Sequence, residues 1–217
     1  DVSQVLFARE QRTAAYVALL DGEGNMTSAV DDAAIIDLLT PRYVYDRRRL
    51  FRQARMVVID ANTPVETAET AIRLAKQYGC QLCLDPVSLQ LAPRYRPLLS
   101  NFYLLAAGNV EAEALTGRPV TSRRTAADAA RQLVGAGVSV ALISVRNTGV
   151  VYATPEDNGY IPAVRGEVVD TTGCGDAYHG VFLVALCRGL PPERAAELAS
   201  AAAALNARHL GGRLGLP

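Results

Sequence analysis

The chain has 217 residues, half of them hydrophobic, and its 22 basic side chains balance 22 acidic ones. That is enough apolar content for one core of ordinary size, and zero net charge removes the electrostatic case for a nucleic-acid or membrane-surface partner. Lys76 is the only lysine, which excludes a Gly-Lys-Ser/Thr phosphate loop, and neither a signal peptide nor 18 consecutive apolar residues occur, so a soluble, cytoplasmic protein is expected.

Asp1 opens in the middle of a polar segment. Residues 14–20 and 26–30 predict two short strands around Asp21-Gly22-Glu23-Gly24-Asn25, a composition suited to a hairpin turn. Helical spacing follows over 33–39, and again over 42–53 behind Pro41 at a first helical position. From Met56 the pattern alternates. A strand over 56–59 ends in Asp60-Ala61-Asn62, and a helix runs from Thr63-Pro64 to Gly79. A strand over 82–84 then ends in Asp85-Pro86. The segment holding Pro93 and Pro97 reads as a surface loop or short helix, and 102–107 as a strand.

Next come a helix over 111–115 stopping at Gly117, an amphipathic stretch over 125–134 and a buried strand over 138–143. Residues 150–152 and 160–161 predict edge strands, and the tail over 191–209 one or two Ala-rich helices ending at Gly211-Gly212. Four cysteines in a chain this long are not a disulfide framework. Cys80 and Cys83 have C-x-x-C spacing, but with two histidines and no second ligand pair a structural zinc site is not expected.

Strands alternating with helices imply an α/β fold with a parallel sheet covered on both faces, and a ligand crevice beyond the carboxyl ends of the strands. Asp60, Asn62, Asp85, Asn109, Glu111 and Asp176 all fall just after predicted strands or at the next helix start. Asp and Asn favour turns and caps in any fold, which accounts for part of that clustering. The densest chemistry lies in Asp170-Thr171-Thr172-Gly173-Cys174-Gly175-Asp176-Ala177-Tyr178-His179-Gly180, a polar, glycine-containing segment that runs into the apolar residues 181–186. Such a helix start offers free N–H groups to an anion, with Asp176 beside them as a candidate base for phosphoryl transfer to a hydroxyl. The competing reading is a loop capped by an Asp that only satisfies helix N–H groups.

The segment 170–180 resembles the C-terminal signature of the ribokinase-like (PfkB) carbohydrate kinases, D-T-T-G-A-G-D-A-F-x-G, with Cys174 for the usual Ala and Tyr178 for the usual Phe. The resemblance extends to Asp85-Pro86-Val87, to Glu111-Ala112-Glu113-Ala114-Leu115-Thr116-Gly117 and to Gly149-Val150-Val151-Tyr152. It implies a three-layer α/β/α sandwich with a mostly parallel central sheet and a small β lid, residues 13–30 contributing the lid strands and 1–217 one domain lacking its N-terminal part. It implies ATP as phosphoryl donor, magnesium, and a monovalent cation, usually potassium.

By the same resemblance Asp176 is the base that takes the acceptor proton, and the N–H groups of Gly173, Cys174 and Gly175 form the anion hole. Glu111, with Asn109, organises magnesium mostly through water, and Asp170 and Thr172 hold the monovalent cation. Ser144, Asn147, Gly149 and Asn206 lie near the nucleotide. Asp60 and Asn62, at a strand end where the crevice is expected, are taken as substrate-binding. Two departures stand out. Where the family has the Asn of N-x-x-E this chain has Gly108, with Asn109 one step later, and Ser144-Val145-Arg146 stands where the family commonly has T-L-G.

The segment from Thr13 to Gly24 resembles the lid of pseudouridine kinases within the family, which favours pseudouridine over ribose, fructose or another sugar as the small-molecule acceptor. Lid strands in the family often pair between subunits, so a homodimer is plausible. A nucleotide-binding module without catalysis is the alternative from a different class.

Overall fold

The computed structural model describes residues 1–20, 26–145 and 148–212. Strands β1 (Ala15–Leu20) and β2 (Met26–Asp32) form a separate antiparallel two-stranded sheet, with Ala15 opposite Asp32. The expected turn over 21–25 lies outside the described residues. Tyr16, Val17, Leu19 and Val30 are all exposed on this hairpin.

The main sheet has the order β3 (Met56–Asp60), β4 (Gln81–Asp85), β5 (Leu104–Gly108), β6 (Val140–Val145), β7 (Gly149–Ala153) and β8 (Asn158–Pro162). The first four strands run parallel and β6, β7 and β8 antiparallel. Strands 150–152 and 160–161 were expected at an edge. Only β8 is one, because β7 pairs on both sides and is buried along its whole length.

Residues of period two sort the core into two layers. On one face Leu82, Leu84, Leu105, Ala107, Ala141 and Ile143 pack against α2 (Val65–Tyr78), α3 (Asn109–Thr116) and α4 (Arg123–Gly135). On the other, Cys83, Leu104, Ala106, Val140 and Leu142 meet Tyr178 and Phe182 of α5 (Cys174–Cys187) and Ala195, Ala196 and Ala199 of α6 (Pro192–Asn206). Alanines on α6 let it approach closely, and the large side chains come from α5. The tail expected as one or two helices is α6 alone, beginning behind Pro191.

The helix expected over 42–53 stops early, as α1 (Pro41–Asp46). Thr40 caps its start by accepting the Tyr43 N–H at 3.2 Å. Its end is closed by the arginines that follow: Arg47 donates to the Tyr43 carbonyl and Arg48 to that of Tyr45, both at 3.2 Å, with the Arg47 guanidinium over the Tyr43 ring. Side chains that satisfy the last carbonyls let the backbone tighten into turns over 47–53. Residues 34–38 likewise form a 3₁₀ turn rather than an α-helix, as do 92–101 around the two prolines. Among the described residues no helix is long and apolar enough to cross a membrane.

Candidate active site

Helix α5 starts where the sheet ends. Its N-cap, Gly173, is left-handed at φ 74°, and a Cβ there would stand 2.5 Å from the Gly212 Cα and 2.7 Å from its carbonyl oxygen. Only glycine meets both conditions. The loop before it is tied to the other end of α6. Asp170 accepts the Thr172 N–H on one carboxylate oxygen and the Gly211 N–H on the other, both at 2.9 Å. These bonds, the Gly211 one first, hold the Asp170 carboxyl below its ordinary range. Asn206, fully buried, donates to the Thr172 carbonyl at 2.8 Å, and the Val169 N–H reaches the Ala207 carbonyl at 2.8 Å.

No side chain caps α5. The Cys174 N–H donates to the Thr171 carbonyl at 3.1 Å, whereas the N–H groups of Gly173, Gly175 and Asp176 take no acceptor among the described residues. Open donors at the positive end of a 14-residue helix make an anion-binding geometry. Asp176 is exposed beside them, and its carboxylate forms no hydrogen bond or ion pair among the described residues.

These groups open onto a cavity of about 1100 Å³. Gly173, the N-cap, is not part of its lining, while Cys174, Gly175, Asp176 and His179 are. The same cavity is lined from the sheet side by Asp85 at the end of β4, Gly108 at the end of β5 and Glu111 in the first turn of α3. The Glu111 carboxylate folds back to where a Cβ on residue 108 would stand, so Gly108 gives it room. Burial pushes the Glu111 carboxyl above its ordinary range and the nearby Asp85 adds to this, while backbone hydrogen bonds at Glu111 and Gly108 pull the other way. Asp85 is held low despite its burial, by His179 and by the Val87 N–H.

Ser144 and Gly149 line the same cavity, with the Ser144 hydroxyl 3.5 Å from the Ala107 carbonyl. Asn147 and Arg146 lie outside the described residues. Asn206, Asp170 and Thr172 stand behind the α5 start, outside the lining; Asn109, the first residue of α3, is not part of the lining either. Asp60 and Asn62 are also outside it. One Asp60 oxygen accepts both the Asn62 backbone N–H, at 2.6 Å, and the Asn62 side-chain amide, at 2.7 Å.

Three features of the lining have no counterpart in the sequence reading. His179 bonds Asp85 at 3.0 Å, and its place one turn after Asp176 on a helix was the available signal. Val87 is left-handed at φ 61°, which no residue pattern announces. The loop 163–168, with Arg165, closes one side of the cavity. Among the described residues no group of three or more His, Cys, Asp or Glu is arranged to hold a metal, and all four cysteines are free. Burial, and then Asp85, push the Cys83 thiol up to about 12.

A family model described as pfkB family carbohydrate kinase matches residues 1–217. The chain is 27% identical to a ribokinase of Staphylococcus aureus over 183 residues, covering 84% of this chain and 59% of that one. It is 26% identical to a pseudouridine kinase of Escherichia coli over 191 residues, covering 88% and 60%. Thus it spans about three fifths of the length of these curated relatives. A solved ribokinase of Arabidopsis thaliana, complexed with ribose and ATP, superposes with a TM-score of 0.78 at 21% identity, over 94% of this chain and 66% of that one, a likeness that shows the fold.

Proposed function

The chain belongs to the pfkB family of carbohydrate kinases, and from that premise we propose that it transfers the terminal phosphoryl group of ATP to a hydroxyl of a small sugar or nucleoside. The observation that carries the reading is the Asp176 carboxylate, unpaired on the cavity rim beside the open N–H groups of Gly175 and Asp176 itself. In this scheme the acceptor hydroxyl sits against Asp176, which takes its proton as the oxygen attacks the terminal phosphorus. The N–H groups at the α5 start receive the charge on the transferred group.

The residues present fit a magnesium ion held through water. Glu111 is a cavity carboxylate without a side-chain partner among the described residues, and its carboxylate occupies the space that Gly108 leaves open. Magnesium, when bound, would neutralise phosphate charge, and Glu111 would hold it through water. Asp170 and Thr172 are assigned to a monovalent cation behind the loop, where the buried Asn206 Oδ1 has no hydrogen-bond partner. Ser144 and Gly149, on adjoining strands of the lining, are assigned to the nucleotide side, along with Asn147 and Asn206. Asp60 and Asn62 are assigned to the acceptor side only through their place at the end of β3.

Pseudouridine is the favoured acceptor, on the likeness of the lid segment and the presence of a pseudouridine kinase among the relatives. The exposed apolar side chains of β1 and β2 suit a lid that closes over an acceptor or pairs with a second copy. The test is ATP turnover against a panel of pseudouridine, other nucleosides, ribose, deoxyribose and fructose. Phosphorylation of one acceptor class is the expected result. ATP binding without transfer to any of them would favour a non-catalytic module.

A further inference from the structure

Helix α5 carries Asp176 as its third residue and His179 as its sixth, one turn apart on one side. Besides the bonds within it, the loop before α5 is held, among the described residues, by bonds to α6 and the residues after it: Thr172 to Asn206, Asp170 to Gly211, Val169 to Ala207, and Cys174 to Ala203. Loop, α5 and α6 are therefore one polar-bonded unit lying on the sheet. Among the described residues, side-chain hydrogen bonds anchor that unit to the β3–β5 side at two points. The Arg55 guanidinium holds the Cys187 carbonyl at the far end of α5, and His179 Nδ1 meets Asp85 Oδ2 at 3.0 Å near the start.

The second anchor is built on both sides. Asp85 ends β4, and its other oxygen accepts the Val87 N–H at 3.0 Å. Val87 is a branched residue in the left-handed region, a conformation that persists only where its surroundings over-determine it. Each Asp85 oxygen is thus oriented by its own partner, one on the β4 side and one on α5. The pair is mostly shielded, at 21% and 27% side-chain exposure, so solvent screens it less than a surface pair. Both residues line the cavity together with Glu111 and Asp176.

We infer that Asp85 and His179 are a positioning pair: their bond sets the start of α5, and with it Asp176, at a fixed distance from the strand ends and from Glu111, which follows β5 on α3. This rests on the kinase reading above, in which Asp176 and Glu111 serve one reaction. The pair acts through Asp176 and touches no reacting atom. Displacing a base by about 1 Å can cost about a hundredfold in rate.

The experiment uses full-length protein and the acceptor identified by the panel, with H179A, H179N, D85A and the double variant D85A/H179A. Asn at 179 keeps a donor nitrogen as many bonds from the backbone as Nδ1. H179A and D85A should each lower kcat by about tenfold or more, with KM for ATP and acceptor within about twofold. H179N should recover most of the loss, and the double variant should be no worse than either single one. An unchanged kcat in H179A, an H179N as impaired as H179A, or effects that multiply in the double variant would each overturn the pair. Amide hydrogen exchange over 171–177 reads the same bond without turnover: H179A should speed it and H179N should not. That arm still decides the matter if no acceptor is found, and unchanged exchange in H179A would sink the inference while leaving the kinase reading standing.

Discussion

Asp60 and Asp85 occupy matched positions, the last residues of neighbouring parallel strands and partners in register. Their carboxylates have different fates. Asp60 closes a turn with Asn62 and stays outside the cavity, whereas Asp85 reaches across to His179 and lines it. Two residues earlier the contrast repeats: Val58 is 52% exposed and its register partner Cys83 only 2%. What separates them is the element overhead. Helix α5 covers the β4 end and brings an anion-binding start to it, and among the described residues nothing equivalent covers β3. A strand end in a parallel sheet becomes a site where a helix N-terminus faces it.

The heaviest test of that contrast is D176N. It should lower kcat by about two to four orders of magnitude while leaving ATP binding nearly intact, measured by turnover and by nucleotide titration. An Asn variant with ordinary turnover would leave the α5 side with no base. Next comes G173A. A left-handed non-glycine residue costs about 1–2 kcal/mol, and the new Cβ also meets Gly212 backbone, which has no flexible end to yield. Denaturant unfolding should show at least that destabilisation, with turnover falling because the loop is displaced.

E111Q should raise the magnesium concentration needed for half-maximal activity by about tenfold. The sign of its pH dependence follows from burial, which raises the Glu111 carboxyl. A raised acid favours the protonated form in the folded state, so ionised Glu111 opposes folding above its pKa and magnesium offsets that. Thermal protection by magnesium should therefore grow as pH rises through a range above that of ordinary carboxylates and vanish below it. E111Q should flatten this profile, and a wild-type profile already flat would mean that Glu111 does not organise the metal. The smallest effect belongs to D60N, within about threefold in kcat, because its carboxylate serves its own turn. A loss approaching that of D176N would place the β3 end inside the site after all.

The helix start within 170–180, with Asp176 in its first turn, was legible because glycine, helix start and carboxylate are local matters, and their spacing is set by the chain itself. Alternation of strands with helices from Met56 onward gave the layered sheet for the same reason. The early end of α1 was not legible, since helical spacing continues through 47–53 and only the arginine side chains folding back on Tyr43 and Tyr45 stop it. Nor was the interior place of β7, whose apolar run suits an edge or a core strand equally.

What the sequence determined by itself was the fold class, the α5 start and the place of Asp176 in its first turn, all carried by short-range pattern. What only the tertiary structure decided was which strand ends face that helix. Asp60 and Asp85 read alike along the chain, and their difference arises because α5, some ninety residues after Asp85, packs over β4 and places His179 within 3.0 Å of one carboxylate and not the other. Contacts between residues that far apart depend on how layers stack, which no local spacing encodes.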